Sequence, residues 1–162
     1  MIEEKSEPTV QVAELALRLS RVFNAPRPLV FEACSKPEHV DRWWAPRGFT
    51  MPGSRRDFRE GGAWHCLMIS PRGERCPASG VFEKIVPNEL IVLTQGWEGD
   101  DGKAEHFTRI TMRFEDAGPG RTKLTVEQAT FKSVPSRDLH IGGWTECLEN
   151  LGELVEAENP AL

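Results

Sequence analysis

The chain has 162 residues, 39% of them hydrophobic and 28% charged, with a formal net charge of −5. That length suits one domain with its own hydrophobic core, and an acidic balance without a Lys/Arg block excludes nucleic acid as the main partner, because phosphate binding needs a concentrated basic surface. No stretch approaches the ~20 apolar residues that cross a bilayer, and the acidic, polar opening Met1-Ile2-Glu3-Glu4-Lys5-Ser6-Glu7-Pro8 is no secretory signal, so the expectation is a cytoplasmic protein with no membrane partner.

Residues 1–11 lack periodicity and read as a disordered tail. From Val12 the pattern changes: Leu15, Leu17 and Leu19 alternate with Ala16, Arg18 and Ser20, which predicts a strand to about Asn24. Ala25-Pro26-Arg27-Pro28 stops it, and Pro28 suits the first turn of a short apolar helix through Leu29, Val30, Phe31 and Ala33 that ends near Cys34. Ser35-Lys36-Pro37-Glu38 carries the S-x-x-E spacing of a capping box and opens a second short helix, His39 to Trp44, which Ala45-Pro46-Arg47-Gly48 ends.

A meander follows. Phe49 to about Glu60 is a strand, irregular at Pro52-Gly53, and Gly61-Gly62 marks a turn or bulge. Arg55-Arg56 with Arg59 is interrupted by Asp57 and Glu60 and reads as a solvated strand face rather than a phosphate site. Strands at Ala63–Ser70, Cys76–Val86, Leu90–Trp97, His106–Phe114 and Thr122–Ala129 are separated by Pro71-Arg72-Gly73-Glu74, Pro87-Asn88, Gly99-Asp100-Asp101-Gly102 and Ala117-Gly118-Pro119-Gly120. The acidic tip at Glu98–Gly102 lacks the alternating ligand spacing of a calcium loop and reads as a hairpin end.

After Pro135, Ser136 is a candidate N-cap with Asp138 in the first turn. His140, Trp144, Cys147, Leu148, Leu151, Leu154 and Val155 then recur at three- and four-residue steps, an amphipathic helix of about five turns. Gly142-Gly143 inside it weakens the helix, for which close packing against the sheet or a bend is the expected reason. Residues 12–158 form one domain, followed by a short tail at 159–162. A sheet with one apolar face must cover it, and only the last helix is long enough. The fold class is therefore α+β: a curved antiparallel sheet of about six strands wrapped around a long C-terminal helix, with two short helices after strand 1.

This order, together with Arg21-Val22-Phe23-Asn24-Ala25-Pro26, Pro37-Glu38-His39, Arg42-Trp43-Trp44-Ala45-Pro46, Glu60-Gly61-Gly62-Ala63-Trp64, the run Gly80 to Pro87, and Gly143-Trp144-Thr145-Glu146-Cys147-Leu148-Glu149-Asn150-Leu151, resembles the START-like (SRPBCC) helix-grip superfamily shared by the birch-pollen allergen. More narrowly, the chain resembles the family homologous to the C-terminal part of the activator of heat-shock protein 90 ATPase. The resemblance spans about residues 15 to 156. It implies a helix-grip fold with a hollow interior for an apolar ligand, and it records homology to a co-chaperone without assigning activity on the chaperone. The chain has no room for the separate N-terminal domain of the eukaryotic activator, so any chaperone contact is expected to be weak.

Four cysteines, Cys34, Cys66, Cys76 and Cys147, show no C-x-x-C spacing and are expected as free thiols, although Cys66 and Cys76 flank one turn and a contact between them stays open. His39, His65, His106 and His140 lie far apart at no ligand spacing, so neither metal nor cofactor is expected. No nucleophile elbow, phosphate loop or dinucleotide fingerprint occurs. The inward strand faces supply a candidate cavity lined by Trp64, Cys66, Met68, Phe82, Leu93, Gln95, Trp97, Thr108, Ile110 and Met112, with His140, Trp144 and Cys147 added by the helix. Trp43-Trp44 either packs the helix pair onto the sheet or, through Trp44, stacks on a ligand at the cavity mouth. Gln95 and His140 are the polar exceptions, and a ligand, a water or a neighbouring backbone group would be their partner. No carboxylate belongs to the inward set, so no catalytic residue is assigned. The expected function is binding of a small hydrophobic or aromatic molecule by a monomer or homodimer. A protein-interaction domain and an enzyme on a small cyclic or aromatic substrate are the alternatives.

Overall fold

The computed structural model describes residues 9–157. Within them the chain runs β1 (Thr9–Ala13), β2 (Ala16–Phe23), α1 (Arg27–Ala33), α2 (Pro37–Trp43), β3 (Thr50–Arg56), β4 (Ala63–Ile69), β5 (Arg75–Val86), β6 (Leu90–Trp97), β7 (Thr108–Asp116), β8 (Thr122–Ala129) and α3 (Val134–Ala157). The strands form one antiparallel sheet in the order β1-β2-β8-β7-β6-β5-β4-β3, which curls around α3 as a helix grip.

Eight strands replace the six or so expected, and the excess has two sources. The segment from Val12 folds as a hairpin, with Ala13 opposite Ala16, rather than as one strand, and its outer arm takes Thr9–Gln11 out of the expected tail. Residues 1–8 of that tail, and the tail at 159–162, lie outside the described residues. No Gly, Pro or Asn marks the turn, so alternation carried through it unbroken. The other is in the count itself, since the segments read separately from the sequence already number seven and all of them form.

Two capping expectations are corrected. The second helix begins at Pro37 with Lys36 as N-cap and no side-chain cap. Ser35 therefore falls one residue too early, and its hydroxyl turns back to donate to the Phe31 carbonyl at 2.6 Å. The last helix begins before Ser136, and Ser133 takes the capping role, its Oγ accepting from the Ser136 N–H at 3.2 Å.

The concave face holds the core: Leu17, Leu19 and Phe23 of β2, Ile110, Met112 and Phe114 of β7, Leu124 and Val126 of β8, and Leu148, Leu151 and Val155 of α3 are all buried. Arg56 corrects the solvated reading of its strand. Its Nη1 donates to the Cys34 carbonyl at 2.8 Å, its guanidinium lies 5.3 Å from the Phe82 ring centre, and burial pulls its pKa down to about 10. It ties the end of α1 to the sheet.

The seating of α3 is uneven. Its buried residues are Trp144, Cys147, Leu148, Leu151, Gly152, Leu154 and Val155, and none precedes Trp144. Arg21 of β2 explains the tight end: its Nη1 donates to the Leu148 carbonyl at 2.8 Å, and a Cβ on Gly152 would stand 2.9 Å from its Nη2. Glu156 Oε2 accepts from the Asn24 N–H at 3.0 Å, and Asn150 Nδ2 donates to the Ala45 carbonyl at 3.0 Å.

Candidate functional site

The first ten residues of α3 carry few apolar side chains, and two of them, Gly142 and Gly143, carry none. A Cβ on Gly142 would meet nothing within 4 Å, and one on Gly143 only the Pro46 ring at 3.7 Å. The pair is not packed on the sheet, contrary to expectation. It borders open space, a cavity of about 490 Å³ between this half of α3 and the sheet, within the ~300–1,000 Å³ usual for small-molecule sites.

Met68, Cys76, Gln95 and Trp97 come to it from the sheet, Trp44, Pro46 and Phe49 from α2 and the segment after it, and Leu139 to Cys147 from α3. Of the residues expected to line a cavity, Trp44, Met68, Gln95, Trp97, His140, Trp144 and Cys147 do so. Trp64, Cys66, Phe82, Leu93, Thr108, Ile110 and Met112 are buried in the core instead and do not line it. Trp64 shows why: its Nε1 donates to the Thr94 carbonyl at 2.9 Å across Gly80, where any Cβ would collide with that same oxygen at 1.8 Å. Pro46, Phe49, Cys76, Leu139, the two glycines and Glu146 join the lining without having been anticipated. For Gly142 the signal was present, since a helix-weakening glycine with nothing against it marks space.

The two adjacent tryptophans divide their roles. Trp43 is fully buried and donates from Nε1 to the Ala33 carbonyl at 2.8 Å. Trp44 borders the cavity and sets its ring edge-on to Trp144, with centroids 5.1 Å apart and planes at 74°.

Beneath Trp144 lies a polar cluster. Trp144 Nε1 donates to Gln128 Oε1 at 2.8 Å, and Gln128 Nε2 donates to Gln95 Oε1 and to Thr108 Oγ1, each at 2.8 Å. The partner of Gln95 is thus another side chain, which the sequence reading passed over. Gln128 continues the inward alternation of Thr122, Leu124 and Val126, so the signal was there. The Nε2 of Gln95 makes no hydrogen bond to the protein among the described residues, yet the fully buried unpartnered atoms are Arg21 Nε and Thr125 Oγ1, so this donor is accessible from the cavity that Gln95 borders.

His140 stands in the second turn of α3 and is half-buried. Its Nδ1 is 2.7 Å from the Ser136 carbonyl, while its Nε2 accepts from Trp97 Nε1 at 3.1 Å. A carbonyl only accepts and an indole N–H only donates, so the ring is the neutral Nδ1–H tautomer. Burial also lowers its pKa. Trp97 is 41% exposed and Leu139 78% exposed, so both form an apolar mouth.

One carboxylate borders the cavity, a correction to the expected inward set: Glu146, whose Oε2 accepts from the Arg47 N–H at 3.0 Å. Among the described residues no lysine or arginine lines it. Burial raises the thiol pKa values of Cys34 and Cys147, and that of Cys66 to about 12, so these are neutral thiols. All four cysteines are free. Cys76 stands opposite Met68 in the ladder and Cys66 opposite Ala78, so the two sulfur-bearing residues are not paired across the turn. Among the described residues no cluster could hold a metal, and no helix is long and apolar enough to cross a membrane.

A family model described as Activator of Hsp90 ATPase homolog 1-like protein matches residues 24–156. No curated protein matches the chain. Among solved structures, an AHSA1 protein from Silicibacter pomeroyi is 25% identical with a TM-score of 0.80, the match covering 89% of this chain and 99% of that one. A protein from Chromobacterium violaceum is 26% identical with a TM-score of 0.77, over 87% and 96% of the two chains. One from Arthrobacter aurescens is similar in fold, with a TM-score of 0.79 at 22% identity over 94% and 92%.

Proposed function

The chain belongs to the Activator of Hsp90 ATPase homolog 1-like family, and from that premise we propose that it is a binding domain for a small hydrophobic or aromatic molecule held between α3 and the sheet. The observation that carries this reading is the 490 Å³ cavity bordered by Trp44, Trp97 and Trp144. Apolar walls with a few placed polar groups are the usual composition of a small-molecule site. Binding is favoured over catalysis by the state of the polar groups. The ring nitrogens of His140 are both engaged, and Glu146 is tied to the Arg47 backbone. An acid–base pair aimed at one bound atom is the feature that general acid–base catalysis needs.

A neutral apolar dye tests the proposal. N-phenyl-1-naphthylamine titrated into the native protein should give saturable fluorescence enhancement. Gly142→Leu should weaken it, because the new side chain would occupy space that is now open. Enhancement that never saturates, or that Gly142→Leu leaves untouched, would overturn the reading.

A further inference from the structure

We infer that the ligand of this cavity is a neutral aromatic or polycyclic molecule carrying a hydrogen-bond acceptor, a ketone or quinone carbonyl in particular, which takes its bond from Gln95 Nε2. The inference rests on the binding reading above and adds the polarity of the ligand to it.

The Trp144 indole is a group that cannot be turned round. An indole N–H donates and never accepts. Because Trp144 Nε1 points at Gln128 at 2.8 Å, the atom that it meets must be the amide oxygen. The other end of Gln128 is then its NH₂ group, which has two hydrogens and two acceptors at 2.8 Å, Gln95 Oε1 and Thr108 Oγ1. That in turn commits the Gln95 oxygen to Gln128 and leaves the Gln95 NH₂ as the open end of the chain. Thr108 is already engaged with the Gln95 backbone carbonyl at 3.4 Å. A flip of Gln95 would set its NH₂ against that of Gln128, donor against donor.

Three residues thus hold one amide in one orientation, with its donor left to the cavity. A donor whose water is displaced by an apolar ligand and not replaced costs free energy, and an acceptor on the ligand removes that cost. The remaining lining sharpens the class. Among the described residues the wall has no lysine or arginine, and Glu146 is its one carboxylate, so none of them offsets the desolvation of an anion. The acceptor is therefore neutral. The acceptor nitrogen of His140 is taken by Trp97 and Glu146 Oε2 by the Arg47 N–H, so the polar groups of the wall favour a ligand that accepts over one that only donates.

Three tricyclic probes of nearly one shape test this on the unaltered protein: fluorene, with no polar group; 9-fluorenone, with an acceptor; and carbazole, with a donor. Each is measured by displacement of N-phenyl-1-naphthylamine. The ketone is the more costly to dehydrate, so in a purely apolar cavity fluorene would bind more tightly. The expected order is the reverse, with fluorenone roughly threefold to tenfold tighter than fluorene and carbazole no tighter than fluorene. Gln95→Met, checked by thermal unfolding, should abolish the ketone's advantage over fluorene. Fluorene binding as tightly as fluorenone, carbazole binding best, or an advantage that survives Gln95→Met would overturn the inference while the binding reading stands. If none of the three displaces a dye that itself binds saturably, the inference falls and the binding reading stands; if the dye does not bind saturably, both fall.

Discussion

At His140 one proton decides whether a bond across the cavity mouth exists. Trp97 can donate to Nε2 only while that nitrogen is bare, and protonation leaves no acceptor for it. Burial holds the folded-state pKa below the ordinary value of 6.5. For a group depressed on folding, the unfolded chain takes up protons first. Its stabilising contribution is thus complete above about pH 6.5 and lost as the pH falls from there toward the folded value. Denaturation midpoints of the wild type and His140→Gln, compared from about pH 8 down to about pH 5, should converge on acidification. Parallel curves would place the titration elsewhere. Nearby residues show how far a single side chain can be read without its neighbours. Trp144 was recognisable from its place on the helix stripe, and its burial follows. Gln95 stood out as a polar residue on an inward face, but its orientation depends on Gln128 and Trp144, two residues from other elements that no local pattern links to it.

At the scale of the elements, two glycines of α3 make opposite predictions from the same substitution. Gly142 has nothing near it, so Gly142→Ala should gain the helix propensity of about 0.5–1 kcal/mol and raise the denaturation midpoint. Gly152 lies against the Arg21 guanidinium, so Gly152→Ala has to displace it from the Leu148 carbonyl. Losing a charged hydrogen bond of ~1.5–3 kcal/mol outweighs the same propensity gain and leaves a net loss of about 1 kcal/mol. Urea unfolding of both variants checks the pair, and two shifts of the same sign would contradict the contacts. The legible parts of these elements were those with strong periods, namely the paired strands from Ala63 to Ala129 and the stripe from Trp144 to Val155. Legibility failed where a boundary depends on backbone geometry. Ala13 to Ala16 turns without a turn residue, and Ser35 and Ser136 each have a capping side chain in a position that the helix start does not use. The cavity's position was hidden for another reason. Strand alternation tells which residues face inward, but which of them touch empty space depends on how high the helix stands above each.

For the molecule as a whole, the uneven height of α3 is what separates a core from a cavity. Packing is continuous from Leu17 and Phe23 through Phe114 and Leu124 to Leu151 and Val155, so stability resides at that end. The other end keeps its space because the sheet already spans the gap, and Arg137 ties this half of the helix to the β1–β2 turn through the Ala13 and Glu14 carbonyls at 2.6 and 3.0 Å. Residues 134–143 include no buried side chain. Local opening requires few buried contacts to be broken. Native-state hydrogen exchange should therefore find amides from about Leu139 to Gly143 exchanging through a low-energy opening, and those of Leu148 to Val155 only with global unfolding. Uniform protection along α3 would refute this. Mechanically, α3 is a beam clamped at its C-terminal end by Arg21, Asn24 and Ala45 and propped near its N-terminal end by Arg137. On the binding reading proposed above, the span between prop and clamp is the part that a bulkier guest would bend, so its stiffness, and not that of the sheet, would limit the size admitted.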